Sequence, residues 1–268
     1  MDKKVIIITG ASSGIGRALA FEFASRNYKL VISARNEKNL ESVKNDLINK
    51  KCEVVSVIAD VSIEDDCRKI IETAISNYGK IDILINNAGI SMRAIFEELE
   101  LKVLHKLMNT NFWGTVNCTK HALPWLLKSK GSVVAVSSIA GFAPLPGRTG
   151  YSSSKYAIHG FLQTLRVENI KKGLHVMIAA PGFTASNIRM TALIGDGSEQ
   201  GETPRAEEKL MSAEKVAYFI ANGIEKRKRT VILTTQRKMI VLLYKFFPKM
   251  MDKIIYNQMA KEPDSPFK

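Results

Sequence analysis

From residue 5 to about residue 235 the chain alternates short, β-branched apolar runs with longer segments of helical period. This alternation constrains the fold more than any other feature, because strands separated by helices lie side by side as βαβ crossovers in a parallel sheet. Strands are expected at 5–9, 30–33, 53–57, 83–86, 133–137, 176–179 and 231–234. Most are apolar throughout, as strands covered on both faces must be. Helices are expected over 16–25, 37–49, 65–78, 98–127, 151–171 and 213–226. The fold class is therefore α/β, a doubly wound seven-stranded parallel sheet with helices on both faces. No repeat, linker or low-complexity block interrupts residues 1–235, which read as one domain, and 236–268 form a tail.

The first strand runs directly into Thr9-Gly10-Ala11-Ser12-Ser13-Gly14-Ile15-Gly16 and then into a helix-forming stretch. Glycines in such a turn let the backbone approach a pyrophosphate, and the helix start aims free N–H groups at the anion. Gly10, Ser12, Ser13, Gly14, Ile15 and Gly16 are thus candidate cofactor-binding residues of a Rossmann-type sheet. The glycine spacing is G-x3-G-x-G, not G-x-G-x-x-G.

Further elements follow in order: Asp60-Val61, Asn86-Asn87-Ala88-Gly89, Asn111, Ser138, Tyr151 with Lys155, and Pro181-Gly182. With the glycine loop, these resemble the diagnostic positions of the short-chain dehydrogenase/reductase family over about residues 4–235. The resemblance implies that Asp60 and Val61 contact adenine and that Asn87, Ala88 and Gly89 border the cofactor. It also implies that Pro181-Gly182 flanks a nicotinamide and that Asn111, Ser138, Tyr151 and Lys155 form a catalytic tetrad. The family's thirteen-residue spacing before the tyrosine selects Ser138 over its neighbour Ser137. After Pro181-Gly182 the family often has Val and then a Thr that bonds the carboxamide, whereas this chain reads Phe183-Thr184-Ala185-Ser186. Ser186 stands where that threonine usually lies, and Thr184 is counted with it as a cofactor-binding position.

The tetrad also has a physical reading of its own. Tyr151 and Lys155 are four residues apart in a helical segment, so they project from one face. Lowering a phenol pKa by ~3 units, to act near neutral pH, needs roughly 4 kcal/mol of preferential phenolate stabilisation. The Lys155 ammonium and a positively charged nicotinamide ring are expected to supply it. Ser138, at a strand end, is expected to polarise the substrate oxygen. The resemblance gives Asn111 a water that links Lys155 to solvent.

Enzymes that use NAD place a carboxylate at the end of the second strand, on the ribose 2′-hydroxyl. This chain has Ala34-Arg35 there, and a guanidinium binds a 2′-phosphate bidentately, so NADP(H) is the expected cofactor. The expected activity is reduction of a hydrophobic ketone or aldehyde to an alcohol. A 3-oxoacyl-thioester reductase and a non-catalytic NADP(H) sensor or scaffold are the alternatives.

Cys52, Cys67 and Cys118 are too scattered for a disulfide framework, and no metal site is expected. No 18-residue apolar run or signal-like segment is present, which leads to an expectation of a cytoplasmic protein. The net charge of +13 raises the question of nucleic acid, but no recognition motif accompanies it, and nucleic acid is not expected as a partner. More than half of that charge falls in 225–268, where eleven Lys and Arg face four acids. Lys245, Lys249 and Lys253 recur every four residues and are expected to line one side of a helix, with Pro248 kinking or dividing it. This basic amphipathic tail is similar to those of family members that reduce steroids and retinoids. It is expected to dock peripherally on a membrane, to roof a lipophilic pocket, or to pack on the body or a second subunit. The family resemblance implies a homodimer or homotetramer. Residues 187–212, rich in glycine and charge after a strand end, are expected to form a substrate lid.

Overall fold

The strands β1 (Val5–Thr9), β2 (Lys29–Ala34), β3 (Val54–Ile58), β4 (Ile83–Asn86), β5 (Ser132–Val136), β6 (His175–Ala180) and β7 (Thr230–Ile232) form one parallel sheet. The computed structural model describes residues 3–184, 187–202, 210–261, 265 and 267. The strand order is β3-β2-β1-β4-β5-β6-β7. Ile6 of β1 pairs with Leu30 on one side and Ile83 on the other. The winding reverses at β1, so the crossovers on its two sides leave a crevice at the carboxyl ends of β1 and β4, where open α/β sheets bind ligands.

Alternation along each strand feeds two cores, one per sheet face. Ile6, Ile8, Leu30, Ile32 and Ile85 meet Leu19 and Phe23 of α1 (Gly14–Ser25), Leu40 and Leu47 of α2 (Glu37–Asn49), and Val216 and Ile220 of α7 (Ala213–Glu225). Ile7, Val31, Leu84 and Val133 face the other way. They meet Ile70 of α3 (Glu64–Tyr78), Leu126 of α5 (Gly114–Lys128), and Ile158 and Leu162 of α6 (Thr149–Glu168). Burying each such side chain stabilises the fold by about 1.5–3 kcal/mol. A third, smaller cluster of Met92, Ala94, Leu99, Val103, Leu107 and Leu193 lies against Tyr151.

Two elements differ from the sequence expectation, and the tail divides at Pro248 as expected but without a single lysine stripe. The helix expected over 98–127 is α4 (Leu101–Leu107), a π-helical stretch Met108–Trp113, and then α5. The strand expected over 231–234 stops at Ile232, because Thr234 takes φ 74 and turns the chain into α8 (Thr235–Phe246). In the tail, Pro248 opens a new helix, α9 (Pro248–Ala260), as proline at a first helical position does. Lys245 therefore belongs to a different helix from Lys249 and Lys253, and the three do not form one stripe.

The expected lid folds back over the third cluster. Leu193 pairs with Met92, and Thr184 with Met211. Residues 203–209 of that segment lie outside the described residues.

Candidate active site

A cavity of about 870 Å3 runs along the carboxyl ends of the strands. Its first wall is the glycine loop. Gly10 and Gly14 take φ 66 and 51, which only glycine adopts without strain. Asn87 holds the loop from behind, its Nδ2 donating to the carbonyls of Thr9 at 2.9 Å and Gly10 at 3.1 Å. Thr9 Oγ1 in turn accepts from the N–H groups of Asn87 and Ala88, each at 3.1 Å. Gly16 stands behind the loop, not on the cavity wall: a Cβ there would lie 2.1 Å from the Gly10 carbonyl oxygen. Helix α1 has no side-chain cap and no acidic residue in its first turn, and Ser13, Gly14 and Ile15 line the cavity. A helix N-terminus with unused donors suits an anion such as a pyrophosphate.

Next along the cavity come Arg35, after β2, and Asp60 and Val61, after β3. Arg35 is half-exposed and lies 3.6 Å from the Asp60 carboxylate. Burial pushes the Asp60 carboxyl up, but the Ser62 N–H at 2.9 Å, the Ser62 hydroxyl at 2.8 Å and the Arg35 charge outweigh it and leave it below its ordinary value. Asn36 and Asn39 lie beside Arg35 on the wall, a pair the sequence reading missed because both look like ordinary helix-start polar residues.

The second wall comes from β5 and α6. Ser138 ends the segment after β5, and its Oγ accepts the Ala140 N–H at 3.2 Å. Its neighbour Ser137 is tied to His159 Nε2 at 2.7 Å. Tyr151 and Lys155 lie one turn apart on α6, as their spacing predicts. Lys155 is buried, its Nζ donating to the Val136 carbonyl at 3.1 Å and sitting 5.5 Å from the Tyr151 ring centre. Burial lowers its pKa to about 8. The protein's own groups leave the Tyr151 phenol above its ordinary value: burial raises it, and the Ser138 hydroxyl and the Arg148 guanidinium pull it back. Arg148, a residue the sequence reading passed over, is thus a second cation beside Tyr151. Arg148 is the only charged residue between 131 and 154, which was the available signal.

Asn111 lies in the π-helical stretch and does not line the cavity. Its side chain bonds both backbone groups of Ile90 and the Ser154 hydroxyl, at 2.8, 3.0 and 2.9 Å. Gly89 lies beside it, where a Cβ would come 3.1 Å from Asn111 Oδ1 and 3.6 Å from Lys155 Nζ.

The far wall holds Pro181, Gly182 and Thr184, whose Oγ1 donates to the Gly182 carbonyl at 3.1 Å. Ser186 lies outside the described residues. The roof comes from the tail: Arg237 and Ile240 of α8 and Ile255, Gln258 and Met259 of α9 line the cavity. The Arg237 guanidinium packs on the Phe183 ring, 5.1 Å from its centre, and covers Gly182 closely. No group of His, Cys, Asp and Glu suited to a metal ion occurs among the described residues. No helix among them is long and apolar enough to cross a membrane.

Similarity to known proteins agrees with this geometry. The sequence model for short chain dehydrogenases matches residues 4–195. The chain is 37% identical over 243 residues to 11-beta-hydroxysteroid dehydrogenase 1A of Arabidopsis thaliana, covering 85% of this chain and 67% of that protein. It is 35% identical over 257 residues to 11-beta-hydroxysteroid dehydrogenase-like 2 of the same plant, covering 94% and 80%. In structure it superposes on an alcohol dehydrogenase from Thermococcus sibiricus, solved with 5-hydroxy-NADP, with a TM-score of 0.76 and 25% identity over 87% of this chain and 95% of that one. The glycine loop at the winding reversal, the Tyr151–Lys155 turn and these matches together make the chain an oxidoreductase of the short-chain dehydrogenase family.

Proposed function

We propose that the chain is an NADPH-dependent reductase that converts a lipophilic ketone or aldehyde to an alcohol. The observation that carries this reading is the Tyr151 phenol, set between the Ser138 hydroxyl and Lys155 on the same cavity that reaches the glycine loop. When bound, the nicotinamide cofactor supplies the hydride. The chain's own residues do the rest. Ser138 and Tyr151 hydrogen-bond the carbonyl oxygen, and Tyr151 delivers the proton to it as the alcohol forms. Lys155 and Arg148 stabilise the phenolate that Tyr151 becomes. Asn111 positions Ile90 and, through Ser154, the start of α6. The uncapped N-terminus of α1 suits the cofactor's pyrophosphate, and Arg35 a 2′-phosphate. The names of the plant relatives support a steroid-like, apolar substrate, as does the cluster of Met92, Val103 and Leu193 beside Tyr151. A panel of steroid, retinoid, aryl and 3-oxoacyl-thioester carbonyls, followed by loss of NADPH absorbance, tests the reading. Turnover confined to thioesters would replace it with the acyl reductase, and nucleotide binding with no turnover would replace it with a sensor.

The tail supports a second reading, concerned with where the enzyme works. Its inner face roofs the cavity, while Leu242, Phe246, Phe247, Met250 and Ile254 are exposed on its outside among Lys245, Lys249 and Lys253. An apolar surface ringed by cations suits the headgroup region of an anionic bilayer. Sedimentation with phosphatidylserine vesicles tests it, and a dimer or tetramer that hides the same face would turn the surface into a subunit contact.

A further inference from the structure

Arg148 occupies one of the least favourable positions a guanidinium can take. The residue is only 7% exposed, so its charge is largely out of water. It stands at the N-cap of α6, the helix end that disfavours a cation. Its charged neighbours are Arg93 and Arg189, and burial together with Arg93 holds its pKa down to about 10. Among the described residues no carboxylate pairs with it, and its side chain makes no hydrogen bond. The carboxylate on the same cavity wall, Glu199, is exposed and does not act on Arg148. Arg189, equally buried, donates to the Thr184 carbonyl at 2.9 Å and also faces the cavity.

A buried cation with no carboxylate partner in its own fold is accounted for when a ligand brings the counter-charge. The cofactor's phosphates are poorly placed for this. The glycine loop and Arg35 follow β1 and β2, whereas Arg148 pairs through its backbone with Ala94, in the segment after β4 on the other side of β1. Arg148 lies three positions before Tyr151, and both lie against the cavity near the apolar cluster of Met92 and Leu193.

We propose that Arg148, with Arg189 beside it, binds an anionic group of the substrate, so that the carbonyl compound reduced here carries a carboxylate or a phosphate near its carbonyl on an otherwise apolar body. The proposal rests on the carbonyl-reductase reading and narrows it from neutral lipophilic ketones to anionic amphiphilic ones.

The test compares matched pairs on the full chain with NADPH: 4-oxo-4-phenylbutanoate against its methyl ester, and phenacyl phosphate against phenacyl methyl ether. The anionic member of at least one pair is expected to show a kcat/KM about 10- to 100-fold higher, the range for a charge-assisted pair, and the preferred pair separates carboxylate from phosphate. Arg148→Met is expected to remove most of that preference, with Arg148→Lys retaining part of it. Equal use of both members by the wild type overturns the proposal, as does an equal loss on both in R148M, which would mean that the arginine serves only Tyr151. R148M is also expected to melt at or above the wild-type temperature, since it removes an unpaired buried charge, and a large drop would mark Arg148 as structural. Thermal stabilisation by 4-phenylbutanoate or inorganic phosphate, present in wild type and absent in R148M, reads the anion site without turnover. If no carbonyl compound is reduced, the reductase reading fails while this binding measurement still decides the site.

Discussion

Asn111 and Ile90 are joined twice: Asn111 Oδ1 accepts the Ile90 N–H at 2.8 Å, and Asn111 Nδ2 donates to the Ile90 carbonyl at 3.0 Å. The π-helical stretch makes this possible, because its wider turn sets Asn111 opposite the segment that leaves β4. Asn111→Ala orphans both backbone groups and the Ser154 contact. It is expected to lower unfolding free energy by about 1–3 kcal/mol in urea titrations and to slow turnover, as the loop beside Lys155 loosens. Unchanged stability would mean that water replaces the side chain.

Tyr151→Phe removes the one proton donor placed beside Ser138 while leaving the glycine loop untouched. A loss of about 100- to 10,000-fold in kcat is expected, with nucleotide affinity retained by fluorescence titration. Turnover at the wild-type rate would reassign the proton to another group.

Arg35 is half-exposed, and its pairing with Asp60 at 3.6 Å is the kind of surface contact that adds little stability. It is therefore free to turn to a ligand phosphate. Arg35→Ala is expected to weaken NADPH by about 10- to 100-fold with a much smaller effect on NADH, measured as Kd for each. Equal weakening of both would show that Arg35 does not read the 2′-phosphate.

His159 supplies a pH dependence of stability. Burial, reinforced by the Lys155 ammonium, pushes its pKa down to about 4, so the folded protein keeps it neutral against Ser137 and Phe142. Between pH 6.5 and 4 the unfolded chain takes up a proton that the native state refuses, so stability falls as pH falls through that window. The loss is about 3 kcal/mol for this one group. Chemical denaturation at pH 7 and pH 4 is expected to show a smaller difference for His159→Gln than for the wild type.

The strands were legible because both faces of the sheet are covered, which leaves runs such as Val5–Thr9 and Ile83–Asn86 with one composition and sharp ends. The glycine loop and the Tyr151–Lys155 turn were legible because local spacing alone sets their geometry. What could not be read depended on contacts between distant segments. The π-helical turn at Asn111 is fixed by Ile90, and the close approach of Gly114 to Val61 follows from packing, not propensity. Arg148 shows only as an isolated charge until Arg93 and Arg189 are brought beside it. In the tail, the lysine period was a correct count that Pro248 divided between two helices, and nothing in the period told which face would turn inward.

Ile240, Ile255 and Met259 of the last two helices wall the same chamber onto which Ser138 and Tyr151 open. None of the residues to which the proton transfer is assigned lies in these helices. The apolar roof is thereby housed in a different stretch of the polypeptide from Arg148 and Tyr151, and exchanging the stretch after Thr234 between such enzymes is a way to change the apolar part of the guest while keeping the reaction.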